Sequence, residues 1–213
     1  MTDLPPTRWE LAGVETRGYG ECFGRMVAGG EDVDGEARFV DALVPRGARI
    51  LDLGSGMGRV SESLRRRGHR VVATEPDPVL REQSRRTYPD LEVLPHQALA
   101  LDPAWLDRFD AILVVGNVMV YVGVGTERAV LTRLRELLAP GGRVVVGFHL
   151  DGNRTGSRVY PADEFVADVV ASGLRVDHRF GSYELHPPGD EYAVWVLAAG
   201  GQRASNSSEA SVS

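Results

Sequence analysis

The chain has 213 residues, 43% of them hydrophobic and 25% charged, and a formal charge of −6 at pH 7. That balance suits a single soluble domain able to bury a core without disulfides or metals, and it excludes disordered, collagenous and disulfide-scaffold classes. The acidic charge argues against a phosphate-backbone partner, so no nucleic acid is expected.

Met1 to Trp9 carries Asp3, Pro5, Pro6 and Arg8 with no apolar run, which predicts no secretory signal. No apolar stretch approaches the roughly 20 residues of a membrane span, so a cytoplasmic protein without a membrane partner is expected. The single cysteine, Cys22, cannot form an internal disulfide. Residues 1–33 are rich in glycine and aromatics without a clear period and read as an arm or lid. Asp34 to Val44 reads as a helix ahead of the first strand.

The most informative stretch follows. Arg49 to Leu53 is a short apolar run, and Gly54-Ser55-Gly56-Met57-Gly58 succeeds it at once, predicting strand, glycine turn and helix. The helix spans about Arg59 to Arg67, with Val60 and Leu64 inward and Gly68 as a left-handed cap. Val71 to Thr74 is a second strand. Asp77 and Pro78 then suit the N-cap and first turn of a helix ending near Tyr88-Pro89. Leu91 to Leu94 and Phe109 to Val115 read as the third and fourth strands. Thr126 to Leu138 is a helix with Val130, Leu131, Leu134, Leu137 and Leu138 on one face, stopped by Pro140-Gly141-Gly142. Arg143 to Phe148 is a fifth strand and Pro161 to Ser172 a helix, and Leu174 to Gly181 with Tyr192 to Ala199 form a closing hairpin. Strands alternating with helices, their cores continuously apolar, predict an α/β fold with a mostly parallel sheet covered on both faces. The expected organisation is an arm over residues 1–33, one domain over 34–199 and a disordered tail over 200–213.

In such a sheet ligands bind beyond the carboxyl ends of the strands, where strand order reverses, and the first glycine turn normally sits there. Glu75 falls 21 positions after Gly54, at the end of the second strand, where a carboxylate accepts hydrogen bonds from the hydroxyls of an adenosine ribose. Helix capping is the plainer role for Glu75, but Asp77 is better placed for it. A nicotinamide site asks for G-x-G-x-x-G, which puts its third glycine at position 59, occupied here by Arg59.

Here the sequence resembles the class I S-adenosylmethionine-dependent methyltransferases. Leu51 to Arg59 matches their first motif and Glu75 their acidic second motif. Phe109 to Val118 looks like their fourth-strand motif, and Leu137 to Arg143 like the turn before their fifth strand. The resemblance covers about Gly35 to Ala199 and implies a doubly wound, seven-stranded sheet in order 3-2-1-4-5-7-6 with an antiparallel last strand. It implies S-adenosylmethionine as cofactor. Asp52, Gly54, Ser55 and Gly56 then lie along its methionine part, Glu75 holds the ribose and Pro76 meets the adenine. His96, Gln97 and Ala98 stand where many members place an Asp against the adenine amino group. Gln97 still offers an amide oxygen there. Gly116, Asn117 and Val118 pass close to the transferable methyl. Similar enzymes close an N-terminal segment over the cofactor with an aromatic and a basic side chain, for which Tyr19 and Arg25 are the candidates; ordinary packing of the arm is the alternative.

A methyl carried on a sulfonium is already activated, so positioning and water exclusion should dominate. His149, at the carboxyl end of the fifth strand, is the candidate base, a backbone-satisfied histidine the alternative. Tyr121, Tyr160 and Tyr183 are candidates to line an acceptor pocket, or else packing residues. His178 and His186 lack a third ligand, so no metal is expected. Nucleobase methyltransferases carry Asn/Asp-Pro-Pro-aromatic after strand four, whereas Gly116-Asn117-Val118-Met119 stands here, which favours a small-molecule acceptor. A non-catalytic cofactor-binding sensor or scaffold and a nicotinamide oxidoreductase stay open as alternatives.

Overall fold

A computed structural model describes residues 4–13, 18–104, 106–152 and 156–201. Two short helices, α1 (Arg8–Ala12) and α2 (Tyr19–Ala28), precede α3 (Gly35–Asp41) and the first strand β1 (Arg49–Leu53). Helix α4 (Arg59–Arg66), strand β2 (Arg70–Thr74), helix α5 (Pro78–Thr87) and strand β3 (Val93–Leu94) follow. The second half runs β4 (Phe109–Val114), α6 (Val118–Tyr121), α7 (Glu127–Leu137), β5 (Leu138–His149), α8 (Ala162–Ala171), β6 (Leu174–Phe180) and β7 (Tyr192–Ala199).

The strands form one sheet in the order β3-β2-β1-β4-β5-β7-β6. β1 pairs parallel with β2 and β4, and β5 continues parallel to β4. β7 runs antiparallel to both its neighbours, as the resemblance implies. Successive side chains leave a strand on opposite faces, and both faces here are covered, so the strands read as unbroken apolar runs. On one face Ile50, Leu113 and Val145 pack with Phe39, Val40 and Leu64 of α3 and α4. On the other Leu51, Ile112 and Val146 pack with α7 and α8 through Leu131, Leu134, Phe165 and Val169.

Local signals explain most helix boundaries. The Asp77 carboxylate accepts from the Val79 amide at 2.7 Å, and Pro78 occupies the first turn of α5 where no donor is needed. Gly68 follows α4 in the left-handed conformation, φ 91°.

Four expectations are corrected. The arm is not aperiodic, for α1 begins with a capping box in which Thr7 accepts from the Glu10 amide and Glu10 accepts from that of Thr7. The helix ahead of β1 is shorter than Asp34 to Val44, and β3 is shorter than Leu91 to Leu94. Strand β5 starts at Leu138, because Leu138 pairs with Phe109 and the register shifts before Arg143 meets Ala111. Of the expected tail, 202–213 lies outside the described residues. Among the described residues no helix is long and apolar enough to cross a membrane.

Candidate functional site

Sheet order reverses between β1 and β4, and a cleft opens above their carboxyl ends, where an open α/β sheet binds ligands. Its empty volume, open mouth included, is about 1080 Å³. Four strand ends supply its floor. β1 contributes Asp52 and the turn Gly54-Ser55-Gly56, β2 leads into Glu75 and Pro76, the segment after β3 brings His96, Gln97 and Ala98, and β4 leads into Gly116 and, at the start of α6, Val118.

The glycine turn is tight for a stated reason. A Cβ on Gly54 would lie 2.6 Å from Val118 Cγ2, so the turn closes against the end of β4 only without a side chain. At Gly56 a Cβ would meet nothing within 4 Å, so that backbone faces open space. Glu75, 5% exposed, accepts from the Gly56 amide at 2.9 Å and from the Asp77 amide at 2.9 Å, which fixes its carboxylate between the two loops. Burial pushes its carboxyl up to about 7, against the two backbone bonds that favour the charged form. Each oxygen retains a further lone pair, so the group can still accept a diol. Ser55 Oγ is buried with no hydrogen-bond partner among the described residues.

Asp52 lies at the opposite side of the turn, buried, accepting from Ser61 Oγ at 2.6 Å. Burial also pushes it up, to about 6. Next to it Arg59 lines the cleft and donates to Glu36 Oε2 at 2.8 Å and to the Val33 carbonyl at 2.5 Å. The same guanidinium lies 4.7 Å from the Phe23 ring centroid, tying α2 to α4. In the sequence Arg59 closes the first motif and excludes a nicotinamide turn, with no site role of its own. Its approach to Glu36, 23 positions away, has no sequence signal.

The arm covers the cleft. Trp9 stands edge-on to Tyr19 at 5.3 Å and to Tyr121 at 5.2 Å, and its indole N–H donates to Asp77 at 2.8 Å. The Tyr19 hydroxyl donates to the Gly116 carbonyl at 3.4 Å. Gln83 of α5 donates to the Gly20 carbonyl at 2.7 Å, and a Cβ on Gly20 would collide with it. Gln97 reaches the Pro5 carbonyl at 3.5 Å. Thr7, Trp9 and Phe23 thus line the cleft beside Tyr19.

Several candidates fall elsewhere. Arg25 is exposed and does not line the cleft; α2 turns Tyr19 and Phe23 inward and leaves Arg25 on its outer side. Asn117, at φ 75°, accepts from the His149 amide at 2.9 Å and donates its own amide to Gly147, pinning the ends of β4 and β5 together. The His149 ring packs on Tyr192 at 4.9 Å and is not among the lining residues. Tyr160 is fully buried and donates to Asp168 at 2.7 Å, stacking on Phe148 in the core. Tyr183 bonds the Tyr192 hydroxyl at 3.2 Å beneath Gly147 and packs on Phe39. Of the three tyrosines assigned to an acceptor pocket, Tyr121 alone lines the cleft.

Comparison with known proteins agrees with this geometry. A methyltransferase-domain family model matches residues 50–142. The chain is 31% identical to a TehB-like SAM-dependent methyltransferase of Corynebacterium glutamicum, covering 86% of this chain and 97% of that structure with a TM-score of 0.75. It is 31% identical over 139 residues to an uncharacterized methyltransferase of Mycobacterium tuberculosis, which covers 65% of this chain and 54% of the relative. It is 37% identical over 116 residues to a ubiquinone biosynthesis O-methyltransferase of Cereibacter sphaeroides, covering 51% and 44%. The chain spans about half the length of the curated relatives it matches. With the sheet order, the glycine turn and the carboxylate after β2 in place, the chain belongs to the class I S-adenosylmethionine-dependent methyltransferases.

Proposed function

We propose that the protein binds S-adenosylmethionine in the cleft above β1 and β4 and moves its methyl group to a small-molecule acceptor. The observation that carries this is Glu75, a buried carboxylate held by the Gly56 and Asp77 amides at the floor of that cleft. The residues present suit the group. Glu75 offers acceptors for a ribose diol, Ser55 Oγ is a buried hydroxyl with no partner among the described residues, and Gly56 presents backbone to open space. Asp52 and Arg59 supply opposite charges at the far side of the turn, matching an ammonium and a carboxylate on one zwitterion. The likeness to a ubiquinone biosynthesis O-methyltransferase supports a small-molecule acceptor.

When bound, the cofactor supplies a sulfonium-activated methyl for in-line displacement. The chain's part is to bind, orient and exclude water. Gly54 and Val118 set the width of the floor, Trp9 and Tyr19 cover it, and the largely apolar walls strengthen every charge inside. No proton transfer is assigned to His149, whose ring rests on Tyr192.

Isothermal titration of the protein with S-adenosylmethionine, S-adenosylhomocysteine and NADH tests this, alongside Glu75→Gln. Binding of both sulfur ligands, weakened at least tenfold in the variant and absent for NADH, is the expected result, since hydrogen bonds to a charged acceptor contribute about 1.5–3 kcal/mol each. A folded protein that binds neither sulfur ligand refutes it. Binding without turnover of any acceptor would leave a sensor or scaffold.

A further inference from the structure

We propose, building on the cofactor-binding function above, that Glu127 is a positioning residue that clasps the N-terminal arm and the segment ahead of α8 to the wall of the cleft and thereby sets how long the cofactor is retained. Glu127 opens α7, is 5% exposed and does not line the cleft. Its Oε1 lies 2.9 Å from an Arg8 nitrogen of α1 and 2.9 Å from an Arg158 nitrogen of the segment before α8. One carboxylate oxygen is thus shared by two guanidinium groups that are themselves only 14% and 20% exposed, and Arg158 is further paired with Glu164 at 2.6 Å.

Each arginine also grips the end of α6 and the turn that follows it, which form the cleft wall through Tyr121, Val122 and Gly123. Arg8 donates to the Val122 carbonyl at 2.8 Å while Thr7 bridges to Gly123. The Arg158 amide donates to the Val120 carbonyl at 3.0 Å, and its guanidinium lies 4.0 Å from the Tyr160 ring centroid. The two gripped segments touch directly, since a Cβ on Gly156 would lie 2.7 Å from Ala12 Cβ. Arm, wall and loop therefore meet at one buried charge. Without it Arg8 has lost its carboxylate and Arg158 keeps only Glu164, so two largely buried cations face each other, and their repulsion acts on the same short segment that carries Thr7 and Trp9 over the cleft.

A carboxylate at a helix start also favours α7 through the helix dipole, a role that alters stability alone. Release of tritiated S-adenosylhomocysteine, chased with excess unlabelled ligand, separates the two. Wild type, Glu127→Gln, Arg8→Gln and the double variant are compared at matched melting behaviour; Arg8→Gln leaves the start of α7 intact. The expected result is release roughly tenfold faster in each single variant, with the double variant no faster than the singles, because both break one clasp. Release within twofold of wild type in folded Arg8→Gln, or effects that simply add, would overturn the clasp. A wild-type protein that never binds the labelled ligand would sink the cofactor function itself, a distinct result.

Discussion

Gly54 and Gly56 adopt φ of +68° and +58°, so alanine at either place pays about 1–2 kcal/mol for the left-handed backbone. Their surroundings then separate them. An alanine Cβ at Gly54 lies 2.6 Å from Val118 Cγ2 and adds an overpacking cost of about 1–3 kcal/mol. At Gly56 it meets no protein atom within 4 Å and projects into space beside the cleft. Gly56→Ala is therefore expected to lower the melting temperature by about 2–8 °C and Gly54→Ala by roughly 4–20 °C, using about 2–4 °C per kcal/mol for a chain of this size. Ligand binding should show the reverse economy: Gly56→Ala, though the better folded, loses at least tenfold in S-adenosylhomocysteine affinity because its methyl stands where the ligand must lie. Thermal melts and calorimetric titration of the two variants check both halves. Wild-type affinity in Gly56→Ala would refute the placement of the ligand against this turn.

Glu75 makes the protein pH-sensitive in two ways. Its folded carboxyl titrates at about 7 because of burial, against about 4.3 in an unfolded chain, so the native state holds the extra proton between these values. Its stabilising contribution is full below pH ~4.3 and lost as pH rises through ~7, by up to about 3–4 kcal/mol, and Glu75→Gln should flatten that part of a stability–pH curve measured by denaturant unfolding. Ribose hydroxyls need the ionised form, so S-adenosylhomocysteine affinity should rise as pH climbs toward 7, with proton release on binding at pH 6 that Glu75→Gln abolishes; calorimetry in buffers of different ionisation enthalpy reads this, and equal proton release in the variant would contradict it. Tyr160→Phe removes a buried bond to Asp168 and should cost about 1–3 kcal/mol of stability while leaving ligand affinity unchanged, as denaturant melts and titration will show.

How much of this was legible in the sequence follows from how local each signal is. The strand–glycine–helix unit at Arg49 to Arg66, the cap at Asp77 and the amphipathic α7 are set by neighbours in the chain, and the structure reproduces them. Sheet order followed from the family resemblance. The arm was obscured because α1 has only five residues and α2 is held by contacts with α5 and Gly116 far along the chain. Arg25 looked suitable as the basic residue of the arm, yet helical phase turns it outward, while Arg59 is drawn to the cleft by Glu36 and Phe23. Tyr160 and Tyr183 show the limit of residue type as a guide. Both hydroxyls are spent on buried partners, Asp168 and Tyr192, which only the tertiary fold brings near.

The most direct test of the central claim is a crystal structure of the protein with S-adenosylhomocysteine. The account predicts the ribose hydroxyls within hydrogen-bond distance of the Glu75 carboxylate, the homocysteine along Gly54-Ser55-Gly56, and Trp9 and Tyr19 closed over the ligand. A ligand seated elsewhere, with Glu75 still bound only to the Gly56 and Asp77 amides, would contradict it.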